Sequence, residues 1–210
     1  MNTTSRTAVA LRGLYAIVNE GERDPVSLTG AVLAGGIRLV QYRAKKGIVR
    51  EHALAMRSLC RIAGALFLVN DDVEVALELD ADGVHVGPDD SAWADLGALR
   101  AKLGTKLLGL SCASPAEARG AQSSGADYLG VGSCFATVSK PDAGEPIGIA
   151  GLRSVVASTS LPVAAIGGLN AGNLAQVFDA GATMAAVISA LYVDDAATAA
   201  RELVELWKAH

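Results

Sequence analysis

Short apolar runs alternate along the chain with longer stretches of mixed polarity. Mostly apolar runs of four to seven residues predict strands at Gly13–Val18, Gly36–Tyr42, Leu66–Val69, Gly83–Val86, Lys106–Ser111, Tyr128–Val131, Val163–Ile166 and Thr183–Val187. The stretches between them carry the three-and-four spacing of amphipathic helices, as at Val49–Ile62, Pro115–Ser123, Gly148–Ala157, Gly172–Asp179 and Asp194–Lys208. Asp24-Pro25 and Ser114-Pro115 look like helix starts, with Pro in the first turn. Eight strand–helix units in 210 residues predict one closed (β/α)₈ TIM barrel. The barrel should span residues 13–210, after a disordered N-terminal segment at 1–12, with no linker or second domain. A weak repeat supports this. Asp80-Ala81-Asp82-Gly83, Gly125-Ala126-Asp127 and Gly181-Ala182-Thr183 each stand just before a predicted strand.

Composition narrows the picture. Hydrophobic residues make up 51% of the chain and aromatics only 4%, so the core is built from Ala, Val, Leu and Ile. That suits a parallel sheet covered on both faces. The net charge of −4 and the lack of a basic stripe argue against a nucleic-acid partner. Arg38, Arg43, Lys45, Lys46 and Arg50 form one short basic cluster, which suits a small anion. No apolar stretch approaches the ~18 residues that would span a membrane. Residues 1–10 lack a signal-peptide core. The three cysteines, Cys60, Cys112 and Cys134, match no metal spacing and read as reduced thiols in a cytoplasmic protein. The expected partners are small-molecule substrates and a second copy in a homo-oligomer, with neither nucleic acid nor membrane.

In such a barrel the chemistry lies at the C-terminal strand ends. Strand alternation puts Leu39, Gln41, Arg43 and Lys45 on one face that grows polar toward the mouth. These could bind phosphate or be a solvated strand end. The third strand runs into Asn70-Asp71-Asp72, and the fourth into Gly87-Pro88-Asp89-Asp90. Two carboxylates among cations suit Mg²⁺, although Asp72 and Asp89 also suit helix capping. Ser111 ends the fifth strand and could bond a substrate or cap a turn. The long loop from Gly132 to Gly144 offers Thr137, Ser139 and Lys140, the profile of a lid or binding loop. Gly167-Gly168 and Ile188-Ser189 follow the seventh and eighth strands, the usual phosphate site of these barrels. His85 lies mid-strand and reads as a hydrogen-bonded interior group, while His52 and His210 read as helix-surface residues.

The ordered set of motifs resembles the thiamine phosphate synthase family. It comprises Gly36 to Lys45 (GIRLVQYRAK), Val69-Asn70-Asp71, Asp82 to Gly87 (DGVHVG), Gly125 to Gly132 (GADYLGVG) and Ala165 to Gly168 (AIGG). The resemblance covers roughly residues 13 to 205. It implies an enzyme that condenses hydroxymethylpyrimidine pyrophosphate with a thiazole phosphate, carboxylated or not, and releases pyrophosphate. It implies that Gln41, Arg43, Lys45, Asn70, Ser111 and Lys140 contact the pyrimidine pyrophosphate, with Arg43, Lys45, Lys140 and Ser111 catalytic. It places the thiazole phosphate on Thr137, Val138, Ser139, Gly168, Ile188 and Ser189, and Mg²⁺ on Asp71 and Asp90. The chain departs from the family pattern at Ala136, at Val138, at Cys112-Ala113-Ser114 and at Asp89-Asp90. A thiazole tautomerase on the same barrel would carry a His near Ala113 and usually lacks the Asn-Asp pair. A non-catalytic thiazole or thiamine phosphate binding protein is the other alternative.

Overall fold

The computed structural model describes residues 11–21, 23–137, 139 and 144–210. Eight strands appear in it: β1 Gly13–Asn19, β2 Leu39–Arg43, β3 Leu66–Asn70, β4 Gly83–Val86, β5 Leu107–Cys112, β6 Tyr128–Val131, β7 Val163–Ile166 and β8 Met184–Val187. Each pairs in parallel with the next, and β1 pairs with β8, so the sheet closes into a barrel. The α-helices among the described residues are α1 Pro25–Ala34, α2 Arg50–Ile62, α3 Val73–Glu78, α4 Leu96–Leu103, α5 Pro115–Ser123, α6 Gly148–Val156, α7 Leu174–Asp179 and α8 Ala196–Lys208. Short 3₁₀ turns stand at Ser91–Asp95 and Ser189–Leu191. The strands expected from the apolar runs match to within a few residues. The largest difference is at β2, where Gly36 to Arg38 form the turn from α1 rather than strand.

Strand parity divides the core into two layers. Ala16, Val18, Val40, Phe67, Val69, Leu108, Leu110, Leu129 and Val131 point outward and pack under the helices. Tyr15, Ile17, Leu39, Leu66, Leu68, Leu107, Tyr128, Met184 and Ala186 point inward and fill the barrel. Leu11 belongs to this inner layer and is only 6% exposed, so the packed domain begins before residue 13. The remainder of the expected N-terminal segment, residues 1–10, lies outside the described residues.

The repeat before the strands has a hydrogen-bonding reason. Asp82 accepts the Phe67 amide at 2.9 Å, Asp127 the Leu108 amide at 2.8 Å, and Thr183 the Val163 amide at 3.0 Å. In each case the side chain before one strand satisfies an amide at the start of the preceding strand. Gly125 and Gly181 take φ of +82° and +92° as the chain leaves the helix before it. Helix starts follow the sequence signals as well. Asp24 accepts the Ser27 amide at 2.9 Å, Asp72 the Val75 amide at 2.9 Å and Ser114 the Glu117 amide at 3.3 Å. Asp89 caps no helix; its neighbour Asp90 occupies the cap position of the 3₁₀ turn and turns its carboxylate back to the Gly87 amide at 2.6 Å.

Candidate active site

The C-terminal strand ends open onto two adjoining cavities. One, of about 180 Å³, is lined by Gln41, Arg43, Lys45, Asn70, Asp71, Asp90, Ser111, Ser139 and Ile188, with Ile17, His85, Gly87, Asp89 and Ile166. The second, of about 150 Å³, shares Ser111, Ser139, Ile166 and Ile188 and adds Thr137, Ser133, Gly130, Gly132 and Gly167. Most of the residues expected at the site from the sequence are therefore brought to one mouth. Gly168 and Ser189 line neither cavity. Val138 and Lys140 lie outside the described residues.

The basic cluster does not act as a unit. Arg38 donates to the carbonyls of Leu33 and Ile37 at 2.9 and 2.8 Å, at the opposite end of β2 from the mouth. Arg50 pairs with Glu78 on the helical exterior. Arg43, Lys45 and Lys46 remain, and with Asn19, Glu20 and Gly21 they line a recess of about 330 Å³ beside the mouth. Arg43 donates to Asn19 Oδ1 at 3.1 Å, which aims the guanidinium along the rim. A wider groove of about 750 Å³ runs outward from Lys45, Asn70 and Asp71 toward Leu99 and Lys102. It is larger, but the donors and acceptors converge in the mouth, and we place the site there.

The carboxylates form the electrostatic centre. Asp71 takes φ of +64°, in the left-handed region that Asp tolerates better than most residues. Its amide bonds His85 O at 2.9 Å, which ties the ends of β3 and β4 together. Lys45 meets the Asp71 carboxylate at 3.0 Å. Burial and then the adjacent Asp71 carboxyl hold Asp90 above the usual carboxylate range. Two carboxylates that repel one another while facing an anion-binding rim suit a divalent ion whose remaining ligands are phosphate oxygens and water. Among the described residues no cluster of three or more His, Cys, Asp or Glu could hold a metal ion.

The loop after β6 is held against β7. Cys134 N donates to Ile166 O at 2.8 Å and Phe135 N to Gly167 O at 3.1 Å. Gly168 has φ of +68°, and a Cβ there would stand 2.5 Å from Ala136 O. Its glycine is needed for this loop contact, so Gly168 shapes the mouth from behind. Ser139 N donates to Thr137 Oγ1 at 3.2 Å, which folds the two hydroxyl residues toward one another. Burial pushes the Cys112 and Cys134 thiols up to about 12 and about 11, so neither is a thiolate at neutral pH.

His85 is the interior group its mid-strand position implies. Its Nδ1 lies 2.9 Å from the Tyr128 hydroxyl and its Nε2 3.0 Å from Ser111 Oγ. Burial pushes it down to about 4, so it is neutral at pH 7. Ser111 is thus a strand residue bonded to His85 and caps no helix. Tyr15 and Tyr128 were not singled out in the sequence. Their inward parity on β1 and β6 was legible, but their meeting across the barrel was not. Asn19 was likewise missed, since an Asn at a strand end carries no motif.

Comparison with known proteins gives a consistent picture. The family model described as thiamine monophosphate synthase matches residues 14–191. A thiamine-phosphate synthase of Chloroflexus aurantiacus is 47% identical over 197 residues, covering 90% of each chain. One of Moorella thermoacetica is 45% identical, covering 92% of this chain and 94% of its own. The solved structure of a thiamine phosphate pyrophosphorylase from Pyrococcus furiosus superposes with a TM-score of 0.88 at 37% identity, covering 95% and 97% of the two chains.

Proposed function

We infer the function from one premise: the chain belongs to the thiamine monophosphate synthase family. It is a transferase that forms thiamine phosphate. Its two substrates, in our reading, are hydroxymethylpyrimidine pyrophosphate and a thiazole phosphate, with pyrophosphate as the leaving group. The observation that supports this reading at the residue level is the single mouth where cations, paired carboxylates, an amide and hydroxyls converge from different strands.

We assign the pyrimidine pyrophosphate to Gln41, Arg43, Lys45, Asn70 and Ser111. Arg43 offers a planar fork and Lys45 a mobile charge for the phosphates. Lys140 joins them on the family resemblance. Thr137, Ser139 and Ile188, with Val138, Gly168 and Ser189 by resemblance, make the thiazole phosphate side. Asp71 and Asp90 would hold Mg²⁺, which when bound adds positive charge to the pyrophosphate.

The chemistry needs no nucleophile from the protein. The bond from the pyrimidine methylene carbon to the pyrophosphate oxygen breaks, and both electrons leave with the oxygen. The thiazole nitrogen then donates its lone pair to the methylene cation. Arg43, Lys45 and Lys140 neutralise the departing charge, and such preorganised charge is the main catalytic effect available here. The thiazole subsite supplies the second effect by holding the nitrogen in line before the bond breaks. We assign the enzyme to the cytoplasm, in keeping with three buried, unpaired thiols. No helix among the described residues is long and apolar enough to cross a membrane.

The test is direct. Both substrates are mixed with the enzyme and Mg²⁺, and thiamine phosphate is read by fluorescence after oxidation. Product with matching release of pyrophosphate is expected. No product from either form of the thiazole phosphate would overturn the assignment.

A further inference from the structure

Inside the barrel, Gln41 and Ser111 are linked through three residues that take no part in the steps above. Gln41 on β2, Tyr15 on β1, Tyr128 on β6, His85 on β4 and Ser111 on β5 are joined end to end. Gln41 Nε2 donates to the Tyr15 hydroxyl, and the two tyrosine hydroxyls are 2.9 Å apart. Tyr128 then meets His85 Nδ1 at 2.9 Å, and His85 Nε2 meets Ser111 Oγ at 3.0 Å. The two end residues and His85 open on the mouth cavity. The tyrosines are 2% and 0% exposed.

The hydrogens in this chain can be counted. The two buried phenols each keep a proton, and the His85 ring, held between the Tyr128 and Ser111 hydroxyls, is a neutral imidazole with one N–H. Tyr15, Tyr128 and His85 therefore carry one polar hydrogen each, and each makes two bonds. Each must donate once and accept once. All the bonds then run in the same sense, and the chain as a whole has only two arrangements. With Gln41 as the donor, Tyr15 gives to Tyr128 and Tyr128 gives to His85 Nδ1. His85 carries its hydrogen on Nε2 and gives it to Ser111. Gln41 Oε1 and the Ser111 hydrogen are left for the cavity. An isolated Gln or Ser turns over at little cost. Here reversal requires an amide flip, two hydroxyl rotations and a tautomer change together.

We propose that Tyr15, Tyr128 and His85 are positioning residues that lock Gln41 as an acceptor and Ser111 as a donor toward the ligand. The site then selects a heteroaromatic ring that offers an N–H hydrogen at one position and a lone-pair nitrogen at another. This rests on the assignment of the pyrimidine to Gln41 and Ser111 made above. The chain touches the ring end of the site and leaves the phosphate rim to Arg43 and Lys45.

Tyr128→Phe tests this, because it keeps the ring and its edge-on contact with Tyr15, with centroids 6.0 Å apart, while deleting the middle hydroxyl. The KM for pyrimidine pyrophosphate should rise about tenfold, since a donor or acceptor in the chain is left mispaired. The KM for thiazole phosphate and inhibition by inorganic pyrophosphate should stay within about twofold of wild type. Nitrogen NMR of the wild-type enzyme should find His85 neutral and protonated on Nε2. Equal weakening of all three ligands would mean a purely structural role and overturn the proposal. So would an unchanged pyrimidine KM, or a His85 protonated on Nδ1. If Tyr128→Phe does not fold, Tyr15→Phe breaks the chain one link away and carries the same expectations. A wild-type enzyme that makes no thiamine phosphate would sink the assignment of function, whereas the tautomer measurement still decides the polarity of the chain.

Discussion

Gly109→Ala is the most incisive single substitution in this barrel. Gly109 stands on β5 where the Tyr128 and His85 rings meet. A Cβ added there would lie 2.2 Å from Tyr128 Cζ, 2.4 Å from its hydroxyl oxygen and 2.5 Å from His85 Nδ1. Ordinary carbon contacts stand at about 3.5–4.0 Å, so the rings must retreat by more than about 1 Å. Tyr128 is wholly buried, so its ring can retreat only by displacing the packed side chains around it. Overpacking of this kind costs about 1–3 kcal/mol. Parting the 2.9 Å bond between Tyr128 and His85 leaves a buried polar group unpaired, which costs about 1–3 kcal/mol more. The sum is about 2–6 kcal/mol, a large share of the roughly 5–15 kcal/mol that holds a domain folded. The melting temperature should fall by about 5–20 °C, at about 2–4 °C per kcal/mol for a chain of this size. Gly120→Ala is the control. Gly120 is an exposed position of α5 with no atom within 4 Å of its added Cβ, and the substitution should gain about 1 kcal/mol from helix propensity. Urea and thermal unfolding followed by circular dichroism measure both. A Gly109→Ala protein within about 0.5 kcal/mol of wild type would refute the interior packing and the chain built on it.

His85 also sets a pH dependence of stability. Its pKa is about 4 folded against 6.5 for the free side chain, so the unfolded chain takes up a proton first as pH falls. Stability is lost from about pH 6.5 down to about 4, by at most about 3 kcal/mol, because water at the cavity edge softens the effect. His85→Gln should flatten that fall in urea titrations, and equal pH slopes in the two proteins would contradict it. Chelation with EDTA should abolish product formation and Mg²⁺ should restore it; full activity without metal would remove Asp71 and Asp90 from that role. Gly168→Val forces a side chain onto φ of +68° and against Ala136 O. It should lower stability and raise the KM for thiazole phosphate, and a folded variant with normal thiazole KM would break the subsite assignment. Lys140→Ala should lower kcat roughly a hundredfold if Lys140 neutralises the leaving group. Lys140→Arg should recover part of that loss, and near-wild-type kcat for the Ala variant would take Lys140 out of the site.

The sequence by itself determined the strands, the barrel and the location of the mouth. Apolar runs have a local cause: each strand is buried on both faces, so its composition records its environment one residue at a time. The polar ends Gln41 to Lys45, Asn70-Asp71 and Asp90 were legible for the same reason, as breaks in that apolar run. The repeat ending in Asp82, Asp127 and Thr183 was visible too, although its pairing with the amides of Phe67, Leu108 and Val163 was not. Tertiary structure alone separated Arg38 and Arg50 from Arg43, because one sequence cluster was divided between the two ends of β2 and a helix surface. It set Gly168 behind the mouth, where its conformation serves the loop at Ala136. It also joined Gln41, Tyr15, Tyr128, His85 and Ser111, which come from five strands. Parity tells which face a residue takes, but closing the barrel sets which inward residues meet. Those contacts depend on register around the whole ring, and no local stretch of sequence contains it.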